Sequence, residues 1–296
     1  MTKTLTLFCI AWLCLISLSQ AADSSLNTAK IEELTGLKGK LNEKEGVFKV
    51  TLPRTDIKAT VAGVKMNPEL GLGAWAAFTK AGDHVMVMGD MVLLEDQVNP
   101  VMSVALDNGL EVTALHNHFL WDSPRIMFMH IGGIGDELTL SMAVGQVFSK
   151  LKETRDTKPA APNTDIDPMN SSLDPKKIEA IIGTAGAMKD GVYKIVVGRK
   201  AKMGEHEVGK EMGINTWAAF AGSDDKAIVD GDFAMLENEV QGVLKVLRRA
   251  GINIVAIHNH MINETPRYVF LHYWGVGAIA DLAKALKAAI ETQSTQ

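Results

Sequence analysis

Two histidines at i and i+2 on a strand, followed about a dozen residues later by a third, are spaced to hold a metal ion. This chain has that pattern twice. "ALHNHFLWDSPRIMFMH" carries His116, His118 and His130, and "AIHNHMINETPRYVFLH" carries His258, His260 and His272, so six of the chain's eight histidines lie in two short stretches. Residues two apart on a strand share a face. We read "LEVTALHNHFL" as an outgoing strand and "RIMFMHI" as the returning one, joined by a loop around "WDSPR". Pairing Leu120 with Ile126 then sets His118 opposite Phe128 and His116 opposite His130. Directly opposed residues have Cβ atoms about 4.5–5.5 Å apart, close enough for their imidazoles to share an ion. The second stretch gives the same answer, with His258 opposite His272. Three neutral imidazoles leave one tetrahedral position open, as catalytic zinc sites do. The expected cofactor is Zn2+, or another divalent transition metal, at each triad.

Other groups fall near these hairpins. Glu95 and Glu237 each open a helix just after a strand, where a carboxylate can complete the metal shell, orient an imidazole or act as a general base. A first-turn Glu also simply favours its helix dipole. Arg125 and Arg267 follow Pro in the hairpin loop and are candidate clamps for a carboxylate or phosphate. Asp90 and Asp232 follow glycine and read as turn or bulge residues. Asn117 and Asn259 point away from the histidine face on a regular strand and satisfy backbone groups. Met86, Met88, Met127 and Met129 raise the question of copper, since thioethers favour Cu(I). Met127 and Met129, however, alternate with Phe128 and His130, and the second stretch has Val269 and Leu271 in their places, which is a packing pattern. Trp75 and Trp217, in "WAAF", read as core anchors.

The elements that must position these groups are themselves duplicated. A shift of 142 residues lays Trp75 to Phe78 on Trp217 to Phe220, Gly89-Asp90 on Gly231-Asp232, Glu95 on Glu237, Gly109 on Gly251 and each histidine of the first triad on one of the second. Upstream, "GVFKV" matches "GVYKI" only with a three-residue gap. Each unit reads as ββββ-α-ββ-α, with period-2 alternation in "HVMVMGDMVLL" and i, i+3, i+4, i+7 spacing at Val240, Val243, Leu244 and Leu247. The units span 27–152 and 176–292, separated by a Pro-, Asn- and Asp-rich linker, 153–175. The expected fold is α+β: two homologous tandem units, each a mostly antiparallel sheet with two helices, related by a pseudo-twofold and packed as one body. Two helices per unit leave much sheet uncovered, so the second sheet is expected to cover the first.

Composition limits the roles. With 47% apolar and 22% charged residues the chain is globular, and a net charge of -5 gives no electrostatic support for nucleic-acid binding. Lys3, the apolar run "LTLFCIAWLCLISL" and Ser19-Gln20-Ala21 form a signal peptide over residues 1–21, which implies a periplasmic or secreted protein. Both cysteines, Cys9 and Cys14, lie in that segment. The mature chain, its charge taken to -6 by loss of Lys3, has no thiol or disulfide and no stable membrane insertion. The partners expected are a small, anionic ligand or substrate, with room for a homodimer.

The tandem units, the exported N-terminus, "WAAF" and the paired "HNH…PR…H" hairpins resemble the bacterial LppY/LpqO family, a family of unknown function, over nearly all of the mature chain. The ligand spacing alone is similar to that of acetolactate decarboxylases, which build a zinc site from H-x-H and a later histidine. HNH nucleases share only the three letters, since they need a ββα-metal context and a basic surface. Two functions stand as expectations: a zinc-dependent hydrolase or lyase with Glu95 and Glu237 as bases, or a non-catalytic periplasmic protein that handles metal or senses a ligand through the same triads.

Overall fold

The computed structural model describes residues 25–156 and 164–294; the expected signal peptide lies outside them. The first unit runs α1 (Thr28–Thr35), β1 (Gly39–Asn42), β2 (Val47–Pro53), β3 (Thr60–Val61), β4 (Val64–Lys65), β5 (Gly73–Ala81), β6 (His84–Leu94), α2 (Glu95–Asp107), β7 (Glu111–His116), β8 (Asp122–Ser123), β9 (Ile126–Gly135) and α3 (Glu137–Glu153). The second runs α4 (Pro175–Ile182), β10 (Ala187–Lys189), β11 (Val192–Gly198), β12 (Ala201–Met203), β13 (His206–Val208), β14 (Asn215–Gly222), β15 (Ala227–Leu236), α5 (Val240–Arg249), β16 (Asn253–His258), β17 (Glu264–Thr265), β18 (Tyr268–Gly277) and α6 (Ile279–Glu291). Among the described residues no helix is long and apolar enough to cross a membrane.

The fold is α+β, built from antiparallel strands and a repeated unit, as the sequence implies. Two expectations need correction. The sheets do not stack. The strands of both units join edge to edge in one twelve-stranded sheet, β1-β2-β5-β6-β9-β7-β16-β18-β15-β14-β11-β10. Each unit also has three helices rather than two, because α1 and α4 precede the first strands. These are eight-residue helices burying few side chains (Ile31 and Thr35 in α1, Ile178 in α4), so their apolar period is weak, although Asn27 and Asp174 cap their first turns. The helices form a row, α1-α3-α2-α5-α6-α4, that mirrors the strand order. They cover the face carrying Met129, Ile131 and Gly133: a Cβ on Gly133 would touch Leu140 of α3, and one on Gly275 would touch Leu282 of α6. Helices therefore do the covering that was assigned to the second sheet, and the opposite face, which carries His130 and His272, is free of them.

The seam between the units is β7 against β16, where Leu115 pairs with Ile257. Away from that pair the strands part, and side-chain amides take over the ladder. Asn99 of α2 accepts from Ile254 N at 2.8 Å and donates to Ile254 O at 3.2 Å. At the 142-shifted position, Gln241 of α5 accepts from Val112 N at 2.9 Å and donates to Val112 O at 3.0 Å. Each unit thus satisfies one residue of the other's edge strand. Leaving such a buried pair unmet costs about 1–3 kcal/mol. Asn99→Ala and Gln241→Ala are each expected to lower stability by that amount in urea unfolding; unchanged midpoints would show that strand pairing alone holds the seam.

A buried arginine fixes the outer part of each unit. Arg54 is fully buried; it donates to Val92 O, to Gln97 Oε1 at 2.9 Å and to Asp56 Oδ2 at 2.8 Å. Arg199 has the matching place, donating to Ala234 O at 3.3 Å and to Glu239 Oε1 at 3.0 Å. Its counter-charge has moved: position 97 is Gln and position 239 is Glu, whereas Asp56 is matched by Ala201.

Candidate metal centre

The histidine hairpin depends on a β-bulge. Val112 pairs with Ile131, but Ala114 pairs with His130, so β7 carries one extra residue, Thr113. Without it His116 would alternate onto the helix-covered face. With it, His116 lies opposite Phe128 and shares a face with His130. The second unit repeats this with Val255 as the extra residue, pairing Ala256 with His272 and His258 with Phe270. The expected register was therefore wrong by two residues: His116 is diagonal to His130, not opposite. An even slip preserves the face, which is why the triad still converges. The strand ends at His116 and the connection is longer than expected, because Asp122 and Ser123 turn aside to pair with β3.

In the first unit His116 Nε2 lies 3.1 Å from His130 Nε2, and the His118 ring is 5.2 Å from that of His116 between centroids. His118 stacks on Phe128 at 3.3 Å. In the second, the His258 ring is 4.7 Å from His272 and 5.1 Å from His260, which stacks on Phe270 at 3.6 Å. His272 Nδ1 is 3.3 Å from Gly231 O, a contact that leaves Nε2 facing the cluster when Nδ1 carries the proton.

Both triads include a residue that sequence reasoning placed elsewhere. Asp90 and Asp232 are not turn residues. They lie in mid-strand on β6 and β15, directly opposite His130 and His272. Asp232 Oδ2 is 3.1 Å from His260 Nε2, and ligand atoms of Asp232, His258 and His272 all lie within 4.8 Å of one another. The signal was available: "HVMVMGDMVLL" alternates, so Asp90 cannot both continue the strand and turn it. The preceding glycine has another explanation, since a Cβ on Gly231 would collide with the Tyr273 hydroxyl, which donates to Trp217 O at 3.0 Å.

The electrostatics suit a cation. Burial pushes the Asp232 carboxyl up to about 6 against the pull of His272 and His260, and it raises Asp90 against His130. Burial, reinforced by His272 and His260, pushes His258 down to about 4, and burial also lowers His118. Among the described residues, Asp90 Oδ1, Asp232 Oδ1 and His258 Nδ1 are buried without a hydrogen-bond partner. Buried polar atoms are nearly always partnered, so an orphaned carboxylate oxygen among imidazoles is a donor set lacking its acceptor. Three nitrogens and a carboxylate oxygen are ligands that Zn2+ and its neighbours accept.

A family model described as Domain of Unknown Function (DUF1259) matches residues 29–150 and again residues 176–292. The chain belongs to that family. Each matched segment is one tandem unit and contains one triad with its aspartate. No curated protein matches this chain by sequence. In three dimensions it is similar to the trimeric bacterial microcompartment shell protein PduB, at 12% identity over 86% of this chain and 89% of that one with a TM-score of 0.23, too remote to bear on fold or function.

In this DUF1259 chain the other expected site residues stand apart from the triads. Glu95 and Arg125 face each other at 3.6 Å, and Glu237 and Arg267 at 3.7 Å, all well exposed. They flank the end of the β6–β9 and β15–β18 ladders, five residues from Asp90 and Asp232. Trp75 and Trp217 are not core anchors: Ala76 and Phe78 are buried, whereas Trp75 is half-buried on the histidine face opposite Asp90, beneath the Lys49 ammonium at 4.0 Å. Trp217 and Lys194 repeat the arrangement at 4.0 Å. Met129 is buried on the helix side, as expected, but Met88 stands exposed on the histidine side. Asn117 donates to Phe119 O at 2.7 Å, the backbone role expected of it. His130 and His272 are on strands three places apart, about 14 Å at normal strand spacing, whereas ions that share a substrate oxygen lie about 3.5–4 Å apart. Each triad draws its ligands from one unit, and the two meet where His116 and His258 stand on the adjacent strands β7 and β16.

Proposed function

We propose that this is an exported metal-binding protein in which His116, His118, His130 and Asp90 hold one Zn2+ or similar divalent ion and His258, His260, His272 and Asp232 a second, and that it acts as a hydrolase or lyase on a small anionic substrate. Within the tandem-repeat family, the resemblance of the paired "HNH…PR…H" hairpins to those of the LppY/LpqO proteins supports the reading that it is related to them. The observation that carries it is a buried, partly unpartnered aspartate paired with the third histidine of the triad in both units, its ligand atoms converging with those of His258 and His272 in the second. A bound zinc supplies a Lewis acid and a water that ionises near neutral pH. The chain's own residues fix the ligands: Phe128 and Phe270 orient the second histidine of each triad by stacking, and the bulges aim the first. The Glu95–Arg125 and Glu237–Arg267 pairs are rim elements, outside the ligand set.

One observation favours the second reading, a metal-handling protein without turnover. The aspartate gives each centre four protein donors, the closed shell of structural zinc. The exposure of His118 and His260 favours the first, because the ion would face solvent. Elemental analysis of the purified chain is expected to find two ions, one in His118→Ala or His260→Ala and none in the double variant. Absence of metal in the wild type and on titration rejects both readings. A cobalt-substituted protein whose visible spectrum is unmoved by any added anion selects the second.

A further inference from the structure

The seam brings the two triads onto one surface. Leu115 pairs with Ile257 in antiparallel register, so on the open face Ala114 stands beside His258 and His116 beside Ala256. Two rows of side chains therefore run across the seam. One is Asp90, His130, Ala114 and His258; the other is Asp232, His272, Ala256 and His116. Each row begins on the aspartate of one unit and ends on the first histidine of the other. Ions held by the triads would sit two to three strand spacings apart, about 10–14 Å, on either side of the pseudo-twofold. Between them the floor is Ala114 and Ala256, both half-buried, whose methyl groups leave the space above them open. The surroundings are matched in charge. In the row next to each triad, Glu111 stands opposite Gly132 in the first unit and Asp230 opposite Trp274 in the second. The exchanged places hold Met88 and Asn253. Lys49 over Trp75 and Lys194 over Trp217 add one ammonium to each side. The acid has changed strand but not number, so with a divalent ion bound both centres carry the same net positive charge.

We infer that the two centres bind one ligand between them: a linear molecule with an anionic oxygen group at each end, one end on each ion, its middle lying over Ala114 and Ala256. This rests on metal occupying both triads. A pseudo-twofold site with equal charge on its two sides fits a ligand whose ends are alike. The inference also accounts for alanine at the same position of both units, since a longer side chain there would stand between the ions. Joining two weak contacts in one molecule makes the second contact intramolecular, so affinity is greatest when the ligand's length matches the span.

The test uses the full chain loaded with Co2+, its ions counted, and titrated while the cobalt visible spectrum is read. The probes are α,ω-dicarboxylates from succinate to sebacate and, in parallel, α,ω-alkanebisphosphonates, with acetate and methylphosphonate as single-ended controls. In at least one series, one length is expected to bind on the order of ten- to a hundredfold more tightly than its control, with shorter and longer members weaker and one molecule bound per chain. A chain carrying His258→Ala and His272→Ala, left with one centre, should lose the length dependence and return to the affinity of the control. Ala114→Leu with Ala256→Leu, where every metal ligand remains, should weaken the best member by about tenfold or more. Series that never exceed the roughly twofold gain of two independent ends, or two molecules bound per chain, overturn this inference and leave the metal reading standing. An optimum that persists in the one-centre chain or over the leucine floor overturns it too. A chain that takes up no cobalt overturns both.

Discussion

Glu239→Gln is expected to lower stability by about 3–5 kcal/mol, because it leaves the Arg199 guanidinium buried without a counter-charge. Arg199 and Glu239 are both nearly inaccessible, and Glu239 also accepts from Leu236 N at 2.8 Å and from Ser294 N at 2.8 Å. The first unit tolerates Gln at the matching position only because Asp56 lies beside Arg54. Ala201→Asp, which restores that acid in the second unit, should therefore recover part of the loss in Glu239→Gln, and no recovery would mean that the amide geometry, not the charge, is decisive. The pH dependence has a definite sign. Burial raises the Glu239 carboxyl, but the bonds from Arg199, Leu236 and Ser294 outweigh it and hold the group below its ordinary value near 4.5. Its contribution is fully present above that value and is lost as pH falls through the depressed folded value. Wild type should thus lose stability on acidification over that range, and Glu239→Gln should show a shallower decline in acid unfolding.

Saturating zinc should stabilise the protein by about 4 kcal/mol per site when free metal is a thousandfold above Kd, provided the unfolded chain does not bind it. For a body of this size each kcal/mol moves Tm by about 2–4 °C, so chelation should lower Tm by roughly 8 °C or more for each site emptied. Asp232→Ala removes a ligand and also a buried carboxylate. It should raise the stability of the metal-free protein slightly while reducing the metal-dependent increment at the second centre, where three imidazoles remain. A wild-type Tm indifferent to both zinc and chelator would show that the triads do not bind metal in the folded state.

What could be read from the sequence follows from which quantities are periodic. The face shared by His116, His118 and His130 survives an even error in register, so convergence of the triad was legible although its pairing was not. The bulge at Thr113 was hidden, because nothing in "LEVTALH" distinguishes an inserted residue from a regular one. Asp90 was misread because Gly-Asp is a common turn pair, while the glycine here makes room for a neighbouring strand. Trp75 was assigned to the wrong side because alternation in "WAAF" separates two faces without saying which one the helices cover. The edge-to-edge seam was illegible for a related reason: Leu115 and Ile257 look like any core strand residues, and their partnership is a fact about two distant segments.

The exchange of amides across that seam has a further consequence. Asn99 and the Val112 peptide belong to the same unit, and so do Gln241 and the Ile254 peptide. Every unit carries both a key and the lock that fits a copy of itself. Such a contact is isologous, the type that closes two identical chains around a dyad and uses up the edge through which they join. The tandem gene product is in this sense a homodimer whose halves have been tied together. The tie frees each half from the requirement to remain identical, and that freedom is what allows Met88 and Asp230 to differ.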